Sequence, residues 1–225
     1  MLGAAQLLEE ATEKAEAGPS DPRTQAQLEL ELGAIYENDL GRLDQAMDRY
    51  QRAFKLDPDN AQAIEAGRRV YRALGDWVQV ARLYEVELEV APLGDHADAK
   101  RRGQLLLQLG LIRGKKVGDL VGAAVRLEEA VRLRSDDDEA KEALASLYIS
   151  PDFPVPPGDT VGPPERAAEL FLELAHARAR QKDREGEVAF LKRALGADPY
   201  HVDAAVRLEK AYAEGGKTEE LRHLY

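Results

Sequence analysis

The 225-residue chain has no cysteine, few aromatic residues and no long apolar run. Without cysteine it can form no disulfide, no thiolate metal site and no cysteine nucleophile. Aromatic residues make up only 6% of the chain and β-branched residues are sparse, which argues against a large β-sheet. Because the apolar runs are only a few residues long, we expect no membrane-spanning segment. Hydrophobic residues still form 44% of the chain, which excludes wholesale disorder.

A surplus of positive charge is also missing. The chain has 31 lysines and arginines against 42 aspartates and glutamates, a net charge of −11. Proteins that bind nucleic acid need a cationic surface to displace counterions, so we expect no nucleic-acid partner. The chain does not open with basic residues followed by an apolar stretch, so we expect no secretory signal and a cytoplasmic location.

What the sequence does contain is abundant Ala, Leu, Glu and Arg, which favour helices. It also repeats itself: residues 26–58 match residues 103–135 at a shift of 77. The identical pairs include Gln27/Gln104, Leu32/Leu109, Gly33/Gly110, Gly41/Gly118, Ala46/Ala123 and Ala53/Ala130. A second shift, of 141, places Arg52-Ala53 and Asp57-Pro58 on Arg193-Ala194 and Asp198-Pro199. Such periods indicate stacked supersecondary units.

Each unit reads as two amphipathic helices. In the first unit, Leu28, Leu32, Ile35 and Tyr36 recur at steps of three and four residues, as on one face of a helix. A polar turn around Gly41 follows, and the second helix should end at the segment 57–60, which caps the next helix. Small residues such as Ala53 and Ala130 should be buried where the helices approach closely.

This pattern resembles the tetratricopeptide repeat. In the first unit the family's positions hold Leu32-Gly33, Tyr36, Gly41, Ala46, Tyr50, Ala53 and Pro58. Later units depart from it: the second has Gly67-Arg68 for Leu-Gly and Glu87 for the second alanine. The resemblance implies an all-α, right-handed α-solenoid of about 11–12 helices, of bacterial type.

We expect four segments in the chain. Residues 1–20 would form a capping helix or half repeat, 21–149 a first repeat block, and 150–164 a proline-rich loop. Residues 165–225 would form a second block that ends in the middle of a repeat, as in a fragment of a longer repeat protein.

The proline-rich segment holds six of the eleven prolines and cannot be helical. It falls where the register requires a second helix, so one helix should be missing there and residues 165–181 should start the next unit. The loop is either an exposed linker or part of the binding groove. We expect Phe153 and Val155 to fold back onto Leu144, Leu147 or Phe171, because exposed apolar surface is costly. The stripe Leu221, Leu224 and Tyr225 should contact another molecule.

No catalytic, cofactor or metal motif stands out. The four histidines lack the spacing of a metal site, no glycine-rich phosphate loop is present, and Lys115-Lys116 reads as a turn. Acidic residues 136–138 should cap a helix rather than bind calcium, since the glycine and distal glutamate of a calcium loop are absent. We expect no cofactor and no enzymatic activity.

What remains is the surface. The resemblance implies a non-catalytic scaffold that binds an extended peptide or a partner helix on the concave face formed by the first helices of the units. The alternatives are a structural assembly segment that self-associates through the C-terminal half repeat, or a regulatory arm of an enzyme outside this chain. The carboxylate clamp of some relatives is absent, because its positions hold Leu30, Ala34, Glu65 and Arg69. The candidate partner-binding residues are Asn38, Arg69, Arg72, Gln104, Gln108, Lys115, His176, Arg180, Arg207 and Lys210.

Overall fold

The protein is described by a computed structural model that covers residues 2–17, 21–91, 96–155, 161–216 and 218–222. Over these ranges it is all-α, with no strand. The α-helices are α1 Leu2–Ala17, α2 Pro22–Asn38, α3 Leu43–Leu56, α4 Ala61–Leu74, α5 Trp77–Val90, α6 His96–Ile112, α7 Leu120–Leu133, α8 Asp138–Tyr148, α9 Pro163–Arg180, α10 Arg184–Ala197, α11 Val202–Glu214 and α12 Thr218–Arg222. They fall into two compact units, residues 1–93 and 94–225.

In the first unit, α2–α3 and α4–α5 are antiparallel pairs and α1 packs on α2. The turns follow the sequence pattern: α2 and α3 are joined through Gly41, whose φ is +64°. Asn60 caps α4, since its side chain accepts hydrogen bonds from the backbone N–H groups of Gln62 and Ala63. Ala53 is fully buried, as predicted.

Small residues allow the helix pairs to approach closely. A Cβ added at Gly33 would lie 2.5 Å from the Tyr50 ring, and one added at Gly110 would lie 2.6 Å from Leu127. The second unit repeats this arrangement with α6 and α7, where Ala130 is 1% exposed. The register derived from the 77-residue shift is therefore confirmed in both units.

The end of α6 differs from the prediction. Lys115 and Lys116 lie in a π-helical turn, Arg113–Val117, that continues α6 rather than in a simple turn. Gly118, with a φ of +81°, ends it in the left-handed region that glycine tolerates best. Asp119 then caps α7 by accepting a hydrogen bond from the Gly122 N–H. The turn thus extends the first helix of this pair.

The helix α9 packs antiparallel against α8. Asp138, at the start of α8, lies 3.8 Å from Arg178, near the end of α9. One turn along α8, Lys141 pairs with Glu173 at 2.5 Å. The two helices of one pair run antiparallel, and so do neighbouring helices of successive pairs, so the turns decide which helices form a pair.

The α9–α10 turn has the geometry of the turns inside the other pairs. Lys182 has a φ of 60°, as Gly118 has a positive φ between α6 and α7. Asp183 caps α10 as Asp119 caps α7. Thus α9 starts a pair with α10, and the described residues between α8 and α9 hold no helix, as predicted.

Two further contacts of α8 show where α7 and α10 lie around it. Tyr148 donates a hydrogen bond to Glu128 of α7, and Glu142 pairs with Arg193 of α10. Around the α8 helix, the residues that face α9, Asp138 and Lys141, lie between these two contacts. Around α8 the order is therefore α7, α9, α10, so α9 lies between α7 and α10. By their turns, α6, α9 and α11 are first helices, and α8 is followed by no second helix of its own within the described residues.

The predicted burial of apolar side chains from the proline-rich segment is confirmed only in part. Phe153 is half-buried and folds back onto α8, where it packs edge-on against Tyr148 with ring centroids 5.3 Å apart. Val155 is 68% exposed, so its predicted burial was wrong. Residues 156–160 lie outside the described residues, as do Leu224 and Tyr225 of the predicted C-terminal stripe. Leu221 is half-buried.

Candidate functional site

The second unit contains an open groove of about 440 Å³ between α6, α7 and α8. Leu111 and Leu147 supply apolar walls, and Gly114 leaves room at the base because it carries no side chain. Polar groups stand around the opening. The lining residues are Gly110, Leu111, Gly114, Lys115, Leu120, Leu127, Glu139, Glu142, Ala143, Ser146, Leu147 and Ser150. We call this cavity the α6–α8 groove.

One edge of the α6–α8 groove is held by a polar cluster. Arg193 of α10 donates to a Glu142 carboxylate oxygen at 2.5 Å and to Ser146 Oγ at 3.0 Å. Ser146 Oγ in turn donates to the Glu142 backbone carbonyl at 2.7 Å. The Arg193 guanidinium also stacks over the Phe171 ring, 4.2 Å from its centroid. These contacts fix the side chains on this edge before any ligand arrives.

The opposite edge comes from α6 and its π-helical turn. Gln104, Gln108 and Leu111 follow one face of α6 at steps of four and three residues, and both glutamines are exposed. The face leads to Lys115, which is exposed and forms no ion pair within the described ranges. Across the opening, Glu139 is likewise exposed. The groove thus offers an unpaired cation on one side and a carboxylate on the other.

The candidates of the first unit are engaged with their own unit. Arg69 of α4 donates two hydrogen bonds to the Glu37 carboxylate of α2, at 2.6 and 2.7 Å. Tyr50 donates a further bond to Glu37 at 2.7 Å, so the Arg69 contacts first and this bond next lower the pKa of Glu37, although burial opposes them. Arg72 hydrogen-bonds to the Tyr84 hydroxyl. Asn38 is exposed at the end of α2.

Four candidates lie on α9 and α11, outside the α6–α8 groove. His176 and Arg180 are on α9, and Arg207 and Lys210 are on α11, and both helices are the first of their pairs, as the sequence predicted. Burial first, and then the charges of Arg207 and Arg180, lower the pKa of His176.

Sequence reasoning also missed part of the groove. Glu139, Ala143, Leu147 and Ser150 line it but were not candidates. Three of them lie one turn from Glu142 or Ser146, so helical spacing could have added them. Nothing local indicated Arg193, which comes from another helix. In the ranges that the structure describes, no cluster of three metal-ligating side chains occurs and no helix is long and apolar enough to cross a membrane.

Comparisons with known proteins found matches among solved structures only. No family model and no curated protein matches the chain. Among solved structures, YrrB, described as a TPR protein with an unusual peptide-binding site, is 18% identical and has a TM-score of 0.42; the match covers 89% of this chain and 96% of that one. One structure of MamA is 13% identical, with 88% and 87% covered and a TM-score of 0.43. Another is 14% identical, with 85% and 89% covered and a TM-score of 0.41.

The fold class rests on the molecule itself. Antiparallel helix pairs recur along the chain, and glycine contacts at Gly33 and Gly110 join the two helices of equivalent pairs. The chain therefore has the fold of a tetratricopeptide-type helical repeat protein.

Proposed function

We propose that this chain is a non-catalytic interaction module that binds an extended peptide segment, or one face of a partner helix, in the α6–α8 groove. The observation that carries the proposal is the groove's combination of apolar walls with charged groups of both signs at its edges. Apolar side chains of the ligand would pack on Leu111 and Leu147. Grooves of this kind bind peptides through alternate or regularly spaced side chains.

The polar edges give the ligand a direction. A ligand carboxylate would pair with Lys115, and a ligand cation would pair with Glu139 on the other side. Ser146 is already held by Arg193 and Glu142, so it costs little conformational entropy to use as a hydrogen-bonding group. The stripe Gln104–Gln108 extends the surface along α6, where side-chain amides can bond a peptide backbone.

Site-specific photo-crosslinking tests the proposal. Benzoylphenylalanine at position 111, inside the groove, is compared with the same group at Val125, which is exposed on α7. In extracts of the source cells, we expect position 111 to crosslink to a discrete protein through a defined segment, and position 125 not to do so. An excess of unlabelled wild-type chain should suppress the crosslink, whereas an excess of Leu111→Asp should not.

Equal suppression by wild-type and Leu111→Asp chains would place the contact outside the groove. Crosslinks between copies of this chain, instead of to another protein, would favour an assembly role over peptide binding. Circular dichroism of Leu111→Asp checks that the variant is folded, because Leu111 is half-buried.

A further inference from the structure

The first unit contains a second cavity, of about 270 Å³, between α3, α4 and α5. Its floor is apolar: Ile64 is 1% exposed, and Met47 and Gly67 lie beside it. It opens between α3 and α5, the second helices of their pairs. The α6–α8 groove, by contrast, opens between α6 and α8 of the other unit. We call it the α3–α5 cavity.

The cavity exists because α4 and α5 do not close on each other as the other pairs do. Gly33 and Gly110 bring the facing helix so near that a Cβ there would have neighbours at 2.5 and 2.6 Å, whereas the equivalent position in α4 holds Arg68. The space beside Gly67 and Leu83 becomes part of the cavity.

A buried ion pair explains this spacing. Arg68 and Glu87 stand where the repeat pattern has small residues, and their side chains pair between α4 and α5 at 11% and 8% exposure. The Arg68 guanidinium lies 4.2 Å from the centre of the Tyr84 ring. Two long side chains and a ring need more room than glycine and alanine do, so they hold α5 away from α4. The departures from the repeat pattern at positions 68 and 87 thus create the cavity.

The mouth of the cavity is cationic. Lys55 on α3 and Arg82 on α5 stand on its two sides, and both are exposed. Neither forms an ion pair with any residue in the described part of the chain. Gln51 and Gln79 also line the cavity and add neutral hydrogen-bonding groups. On a chain with a net charge of −11, two uncompensated cations at one apolar opening select for a negatively charged ligand.

We propose that the α3–α5 cavity is a second docking site, for an acidic peptide segment that inserts one large apolar side chain. A leucine, methionine or phenylalanine would pack on Met47 and Ile64, while flanking carboxylates pair with Lys55 and Arg82. The volume fits this occupant, since pockets for whole small molecules run from about 300 to 1,000 Å³. The site is independent of the α6–α8 groove.

Met47 provides a direct probe, because the chain has only two methionines and Met47 lines the cavity. Random dodecapeptides displayed on phage are selected on the intact chain, and the enriched peptides are titrated into protein with ¹³C-labelled methionine methyl groups. We expect enriched sequences with an apolar residue between acidic ones, and a shift of the Met47 methyl signal. Replacing the apolar residue of the peptide with alanine should abolish that shift.

Charge variants complete the test. Lys55→Glu with Arg82→Glu should weaken binding of these peptides at least tenfold, and the milder Lys55→Gln with Arg82→Gln should weaken it severalfold. The matched control, Lys14→Glu with Arg23→Glu, changes the net charge equally at exposed positions outside the cavity and should bind as the wild type does.

Three results would overturn the proposal: no acidic peptide is enriched, the Met47 signal stays unmoved at saturation, or the Lys55/Arg82 variants bind as the wild type does. If the peptides lost binding only to the Leu111→Asp variant, they would bind in the α6–α8 groove instead. The two sites are thereby tested separately.

Discussion

The Tyr50 ring occupies the space that a side chain at Gly33 would need, so that a Cβ there would lie 2.5 Å from the ring. Alanine normally favours a helix over glycine by about 1 kcal/mol. At position 33, however, the Tyr50 ring must move to make room for the added Cβ, and such overpacking costs about 1–3 kcal/mol. Tyr50 cannot move freely, because it is buried and its hydroxyl bonds to Glu37. We therefore expect Gly33→Ala to lower the free energy of unfolding by about 1 kcal/mol in urea denaturation.

Gly196→Ala is the matched control for this prediction. Gly196 also lies within a helix, α10, but a Cβ there would meet no atom within 4 Å. The substitution should stabilise the protein by about 0.5–1 kcal/mol, through the lower conformational entropy of the unfolded chain. If both alanine variants were stabilised alike, the close approach of α2 and α3 at Gly33 would be wrong.

Lys141 and Glu173 test the position of α9. Lys141→Glu should destabilise the protein, because it places two carboxylates where an ion pair stood at 2.5 Å. Adding Glu173→Lys should restore part of the loss. Since Glu173 is half-exposed, solvent screening limits the coupling energy of the double-mutant cycle to about 0.5–1 kcal/mol. Additive effects in thermal unfolding would mean that α9 does not pack against α8 in this way.

The sequence predicted much of the fold for a physical reason. The positions that repeat at a shift of 77 are those where two helices touch, such as Ala53 and Ala130, and packing there tolerates little change. Helix ends could be predicted as well, because local caps such as Asn60 set them. The direct packing of α9 on α8 could not, since it depends on ion pairs between residues that lie far apart in the sequence.

The candidate site was predictable only in part, for the same reason. Lys115, Gln104 and Gln108 follow from helical spacing on one helix. The role of Arg193 at the groove edge needs the packing of α10 beside α8, which no local pattern encodes. Likewise, Arg69 reads as a free surface cation in the sequence, whereas the fold brings Glu37 to it from 32 residues away.

The Arg69–Glu37 pair makes the free energy of unfolding depend on pH in the acidic range. Arg69 lowers the pKa of the Glu37 carboxyl below its ordinary value of 4.5, so the folded state favours the ionised form. The stabilisation is present above the unfolded-state pKa and is lost as the pH falls through the folded-state pKa. We expect Arg69→Gln to reduce the loss of stability between pH 5 and pH 3, measured by urea denaturation at each pH.

Because the Arg69–Glu37 pair stabilises the fold, a loss of partner binding in an Arg69 variant can also come from destabilisation. Replacing both Arg69 and Arg72 with glutamate should lower the melting temperature, since it removes the bonds to Glu37 and Tyr84. An unchanged melting temperature would mean that these contacts contribute nothing to stability. Any loss of partner binding by the double variant must therefore be compared with Arg72→Gln alone, which leaves the Glu37 pair intact.

His176 should give the opposite kind of pH dependence from an ion-paired histidine. Burial and the nearby Arg207 and Arg180 lower its pKa below 6.5, against the weaker opposing charges of Glu187 and Glu173. The folded state therefore binds a proton less readily than the unfolded state does. Stability should decrease as the pH falls through the unfolded-state value near 6.5, and the loss should be complete below the folded-state pKa.

Two variants examine this mechanism at His176. His176→Gln cannot take up the proton, so its unfolding free energy should change less than that of the wild type between pH 7.5 and pH 5. Arg207→Gln removes one repelling charge and should raise the pKa of His176, which NMR titration of the imidazole signals measures directly. A His176 pKa at or above 6.5 in the wild type would contradict the buried, cation-flanked position on α9. An unmoved pKa in Arg207→Gln would instead show that burial and Arg180 lower it without a contribution from Arg207 on the neighbouring helix α11.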